Sequence, residues 1–116
     1  MGNYMMHADN RGTLAEFVPQ VFVARSYPGV TRGDHYHTRK VEQFLVVSGQ
    51  ATIRLRRRFS NDVLAHDVRG SQPRAINIPA GYVHNITNTG DTDMVFVAWS
   101  SESFDPNNTD TYPETV

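Results

Sequence analysis

The chain has 116 residues, a net charge of −1, no cysteine and a single lysine. That length sets one domain with a core of ordinary size, and the near-neutral charge offers no field to draw nucleic acid or an anionic membrane. Without thiols there are no disulfides and no thiolate metal sites, so a bound metal must take His, Asp, Glu or water.

The opening residues, MGNYMMHADN, carry no apolar signal core, and no stretch approaches the roughly 20 apolar residues of a membrane span. A cytoplasmic location is expected. Strand signals follow in order: Gln20–Tyr27 (QVFVARSY), Gln43–Val47 (QFLVV), Ala51–Phe59, Tyr82–Asn88 and Met94–Trp99. Each is short, rich in Val, Phe, Ile, Thr or Tyr, and bounded by turn-formers such as Pro28-Gly29, Ser48-Gly49, Asn61-Asp62 and Thr89-Gly90-Asp91. In the third run Ala51, Ile53 and Leu55 share one face, and Thr52, Arg54, Arg56 and Arg58 the other. No stretch shows helical periodicity of useful length. The expected fold is all-β, a sandwich or barrel. The polar end, SSESFDPNNTDTYPETV, reads as a tail that Phe104 and Tyr112 could tack onto the barrel.

Three of the five histidines fall in one pattern. On a strand, His35 and His37 face the same way, and Tyr36 faces away. Thr38-Arg39-Lys40 can turn the chain. Glu42 then begins the next strand, with Phe44 and Val46 on its own face. The Pro79-Ala80-Gly81 turn brings in His84, whose strand face also carries Tyr82 and Ile86. Imidazoles and one carboxylate at the mouth of an apolar cavity suit zinc, iron, nickel, copper or manganese. The alternative is a set of scattered surface histidines, against which strand parity, turn placement and ligand type agree.

The spacing resembles the two cupin motifs. G-x5-H-x-H-x4-E-x6-G is met by Gly29, His35, His37, Glu42 and Gly49, and P-x-G-x2-H-x3-N by Pro79, Gly81, His84 and Asn88. Pro73 stands where the second motif usually has a glycine. The resemblance implies a double-stranded β-helix, the jelly-roll cupin barrel, with His35, His37, Glu42 and His84 as metal ligands. It divides the single domain 1–116 into N-terminal strands (about 1–28), the first motif (29–49), an inter-motif region (50–78), the second motif (79–88), and a last strand with its tail (89–116).

HADNRGTLAEF, TRGDHYH with EQFLVVSGQATIRLR, and the tail with its F-D-P-x-x-x-D-T-Y pattern look like the C-terminal cupin domain of bifunctional capsular-polysaccharide enzymes. The Asp9-x-Arg11-Gly12 piece is also similar to the opening segment of dTDP-4-keto-sugar epimerases. The resemblance implies a zinc-dependent epimerase acting on a UDP-linked 4-keto-6-deoxy sugar, with iron, nickel or manganese as other metals. It also implies a homodimer. In the bifunctional enzymes a short-chain-dehydrogenase domain precedes the cupin, which leaves room for a separate reductase partner. No G-x-G-x-x-G loop is present, so no nicotinamide chemistry is expected, and the chain reads as a free-standing relative or as one domain of such an enzyme.

Epimerisation beside a ketone needs a metal to stabilise the enolate, an acid and a base on opposite ring faces, and a grip on the diphosphate. Tyr82 is a candidate base, or a core tyrosine. Lys40 is another, or a solvated turn lysine. His7 is a third, or a terminal surface residue. Arg11 is the candidate for phosphate, or the partner of Asp9 or Glu16 in a surface ion pair. The Arg54/Arg56/Arg58 stripe reads as a solvated face, and Phe22, Phe96 and Trp99 as core. Two rival functions use the same ligands: an iron oxygenase of a small molecule, and a non-catalytic metal or sugar-nucleotide binding module. A titratable group over the metal, opposite the Arg11 side, discriminates against the binding module.

Overall fold

A computed structural model describes residues 6–18 and 20–116. Residues 1–5 of the expected N-terminal strand region lie outside the described residues. The described chain forms eleven strands: β1 (Met6–Asp9), β2 (Gly12–Val18), β3 (Val21–Ser26), β4 (Thr31–Tyr36), β5 (Glu42–Ser48), β6 (Gln50–Arg57), β7 (Val63–Arg69), β8 (Ile76–Ile78), β9 (Tyr82–Asn88), β10 (Met94–Ser100) and β11 (Tyr112–Pro113). They build two antiparallel sheets, ordered β1-β2-β3-β10-β5-β8 and β11-β4-β9-β6-β7. This is the jelly-roll that the motifs imply, with its apolar core between the sheets.

The alternation expected of the strands places the core. Ala51, Ile53 and Leu55 of β6 face inward with Ile86 of β9, and meet Phe44 and Val46 of β5 and Phe96 of β10 from the other sheet. Ile53, Val83 and Met94 are fully buried, each such side chain stabilising the fold by roughly 1.5–3 kcal/mol. Trp99 departs from the core expectation. Phe96 points inward, so strand parity turns Trp99 three residues on outward, where it is 39% exposed.

The arginine stripe of β6 is not a solvated face. Arg56 pairs with Glu114 at 2.8 Å and also donates to the carbonyls of Ser60 and Thr115. The Arg58 guanidinium lies 4.1 Å from the centre of the Tyr36 ring, which stacks in turn on Tyr112. The expected tail is thus an element of the second sheet: β11 pairs with β4, and the polar segment gains its order from ring stacking and charge pairing rather than from an apolar face.

Strand β4 carries one irregularity, just before His35. Its register against β9 shifts between Gly33 and His35, where Gly33 (φ 102°) and Asp34 (φ 57°) adopt left-handed backbone. Aspartate is one of the few side chains that tolerates this region. An added residue of this kind is a β-bulge, which re-aims the side chains on either side of it.

Candidate metal centre

His35, on β4, lies directly opposite His84 on β9. His37 follows the strand end, and Glu42 opens β5 after a tight turn. The β9 turn is tied to this segment, because the Gly81 N–H donates to the His37 carbonyl at 2.7 Å. One donor atom from each of His35, His37, Glu42 and His84 lies within 4.8 Å of the other three. All four expected ligands therefore meet at one point between the sheets, beside Phe44.

The surrounding bonds orient two of these side chains. His37 Nδ1 donates to the Asp110 carbonyl at 2.7 Å, and His84 Nδ1 to the Tyr82 carbonyl at 3.0 Å. In each ring the Nε2 lone pair is then left facing the site. His84 Nε2 is buried and has no hydrogen-bond partner among the described residues, although Glu42 Oε1 lies 3.3 Å away. His37 Nε2 sits 2.7 Å from the same oxygen, so this ring has acceptors at both nitrogens although a neutral imidazole has one N–H. A shared cation resolves both oddities, and three imidazoles with a carboxylate are a donor set for zinc or its first-row neighbours.

Charge state agrees. Burial pushes the His35 imidazole down to about 4, helped by His84 and His37 beside it, so it stays neutral at ordinary pH. Burial alone would raise Glu42, but the His37 and His84 rings packed against it outweigh burial and hold the carboxyl at about 2.

Two cavities flank the cluster. One, of about 250 Å³, is lined by Arg11 and Arg32 together with Phe22, His35, Glu42 and His84. The other, of about 340 Å³, is lined by His7, Glu16, Lys40 and Phe104 along with His35, His37 and Glu42. Leu14 and Phe22 line both. Lys40 is not a solvated turn residue. It is 8% exposed, and among the described residues its ammonium has no ion-pair or hydrogen-bond partner. His7 is exposed on β1 and reaches the same cavity. Tyr82 packs against the core and lines neither of these cavities. Arg11 is held at 2.7 Å by Asp9, whose carboxyl these hydrogen bonds keep near 2, so the ion-pair reading describes its contacts while the side chain still faces the first cavity.

Two residues near the site escaped the sequence reading. Arg32 is 9% exposed and donates to Ser26 Oγ at 2.8 Å. It has no carboxylate partner among the described residues, and desolvation, with the Arg11 charge close by, lowers its pKa. Strict alternation would put Arg32 opposite His35, but the bulge returns both to the cavity side. The Gly33-Asp34 pair is the signal that could have revealed it. Asp110 is the other: it acts partly through a backbone carbonyl, which no side-chain pattern discloses.

The family described as Polysaccharide biosynthesis C-terminal domain matches residues 7–112. A Pseudomonas aeruginosa protein, UDP-2-acetamido-2,6-beta-L-arabino-hexul-4-ose reductase, is 38% identical over 112 residues, spanning 92% of this chain and 30% of its own length. The crystal structure of the capsular polysaccharide assembling protein CapF from Staphylococcus aureus superimposes with a TM-score of 0.95 at 44% identity, covering 98% of this chain and 35% of that one. The chain thus spans about a third of the length of these two relatives. NovW, a 4-keto-6-deoxy sugar epimerase from Streptomyces spheroides, shares the fold with a TM-score of 0.67 at 19% identity, covering 90% of this chain and 63% of its own.

Proposed function

Because the chain belongs to the polysaccharide biosynthesis C-terminal domain family, we propose that it is a metal-dependent cupin that epimerises a carbon next to the ketone of a nucleotide-linked 4-keto-6-deoxy sugar. The observation that carries this reading is the division of polar groups around the cluster: titratable side chains line one cavity and guanidinium groups the other. An apolar surround would favour a binding module; this one supplies both an acid–base wall and an anion wall. The hexul-4-ose in the name of the Pseudomonas aeruginosa relative supports a UDP-linked keto sugar as the substrate class.

His35, His37, Glu42 and His84 would hold the ion, zinc first, with iron, nickel or manganese as alternatives. When bound, it would supply a Lewis acid that stabilises the enolate formed as the neighbouring carbon loses its proton. Lys40 is the leading candidate to move that proton, since it is buried, lacks a partner and lines the cavity beside three of the ligands. His7 lines the same cavity and is the alternative for that step, so the acid on the opposite ring face, which inversion requires, falls to Tyr82 if it moves from the core side. Arg11 and Arg32 would hold the diphosphate, Arg32 as a pre-set buried charge and Arg11 by exchanging Asp9 for phosphate. The resemblance further supports a cytoplasmic homodimer whose product a reductase, as a further domain or a separate partner, would take up.

The test is isotope exchange. Incubated with a UDP-4-keto-6-deoxy sugar in heavy water, the metal-loaded protein should place deuterium on a ring carbon beside the ketone, read by NMR. Exchange no faster than in a metal-stripped control removes the epimerase reading, and consumption of oxygen in its place supports the iron oxygenase.

A further inference from the structure

The F-D-P-x-x-x-D-T-Y stretch, Phe104 to Tyr112, is not explained by the proposed reaction. Its second aspartate, Asp110, has left-handed backbone at φ 48° and is 2% exposed. Its bonds run to one place. The backbone carbonyl accepts from His37 Nδ1 at 2.7 Å, across 73 residues of sequence. The carboxylate accepts from the backbone N–H groups of Thr38, Arg39 and Lys40 at 2.9, 2.8 and 3.2 Å, and from the Thr38 hydroxyl. The carbonyl fixes the ring of one ligand. The carboxylate fixes the turn that separates this ligand from the next, Glu42.

We propose that Asp110 is a positioning residue for the metal centre, setting the tautomer and ring plane of His37 through its carbonyl and the His37–Glu42 spacing through its carboxylate. This rests on the reading of His35, His37, Glu42 and His84 as ligands. A simple strap would bond to the sheet, and the tail has such bonds elsewhere: β11 pairs with β4, and Glu114 pairs with Arg56. The side-chain bonds of Asp110 go instead to the ligand-bearing turn. Removing the partner of a ligating histidine commonly weakens metal binding by roughly ten- to hundredfold, and here one residue holds two ligands.

The experiment uses the full chain with Co²⁺, whose visible bands report ligand geometry, and with Zn²⁺ in competition with a chromophoric chelator. Asp110→Gly keeps the left-handed backbone and loses the carboxylate. The carbonyl to His37 stays, so this variant reads the spacing role: it should bind both ions roughly tenfold more weakly and shift the Co²⁺ bands. Asp110→Asn also tolerates this backbone and keeps one acceptor oxygen, so it should recover part of the loss. Glu114→Ala removes the Arg56 ion pair that helps hold the tail end without touching the turn, and should leave affinity within about twofold of wild type, far from the range expected on losing a ligand's partner. If Asp110→Gly fails to fold, Asp110→Asn is read alone and must still bind more weakly than wild type. Wild-type affinity and bands in the folded Asp110 variants overturn the proposal. An equal loss in Glu114→Ala also overturns it, because the effect would then be tail stability. A wild-type chain that binds neither ion overturns the metal reading itself, and the positioning role falls with it.

Discussion

Lys40 and His35 show how differently two side chains in one cluster can be tested. Lys40→Met keeps the aliphatic stem and removes the charge. If Lys40 moves the proton, deuterium exchange should fall by roughly 10²- to 10⁴-fold with bound metal unchanged; an unaltered exchange rate moves the role to His7 or Tyr82. His35 is tested by acid. An unfolded imidazole takes its proton near 6.5, and the folded one near 4, because burial and the two neighbouring rings disfavour its charge. Between those values the unfolded state binds more protons, so stability falls as pH is lowered, by roughly 3 kcal/mol over the window. Glu42, held at about 2, adds a loss of the same sign further down, as pH falls below its ordinary value of 4.5. Urea midpoints of the metal-free protein at pH 7 and pH 4 should therefore differ, and His35→Gln should shrink the difference. Equal midpoints in the wild type would contradict the assigned shift. The positions of the four expected ligands were legible because period-two spacing and turn residues are written directly in the sequence. Arg32 was not, because a bulge inverts the parity that a reader assumes, and Asp110 was not, because an isolated aspartate in a polar stretch has no period at all.

Among the elements, the bulge in β4 is the one on which the site depends. Gly33 has φ 102°, and a Cβ there would sit 2.8 Å from the His84 carbonyl oxygen. Gly33→Ala must therefore strain its backbone or push β4 away from β9, which costs of order 1–3 kcal/mol. Because His35 and His84 face each other across this strand pair, metal affinity should drop together with the urea midpoint. A Gly33→Ala protein that is less stable but binds metal as well as wild type would show that the bulge does not aim His35. Strands β3, β5, β6, β9 and β10 were legible, since they are the central strands with an apolar face. Strand β7 was not: it lies at a sheet edge, and all but two of its residues are exposed, so no alternation marks it. Strand β11 is two residues long and polar in its surroundings, and exists only through its partner β4.

For the molecule as a whole, the centre joins both sheets: Glu42 comes from the first and His35 and His84 from the second. A bound ion should thus act as a cross-link of the sandwich. Ligand that binds only the folded state stabilises by about 2.7 kcal/mol at a hundredfold excess over Kd, so Zn²⁺ should raise the melting temperature of the wild type and leave that of His84→Ala unmoved. A His84→Ala protein with full metal content and a full shift would refute the ligand set. The fold class followed from many short strands and two motifs. The strand order did not, because antiparallel partners such as β3 and β10 are far apart in sequence and no local pattern names them. Among the described residues no helix is long and apolar enough to cross a membrane.

The chain's single lysine is enclosed beside the cluster rather than displayed on the surface. Acylating reagents thus find, apart from the terminal amine, one address on this chain, and it opens onto the chamber beside the four expected ligands. The extent of modification at that address, read by mass spectrometry, becomes an occupancy gauge: whatever fills the chamber should shield the amine, with no fluorophore or engineered handle required.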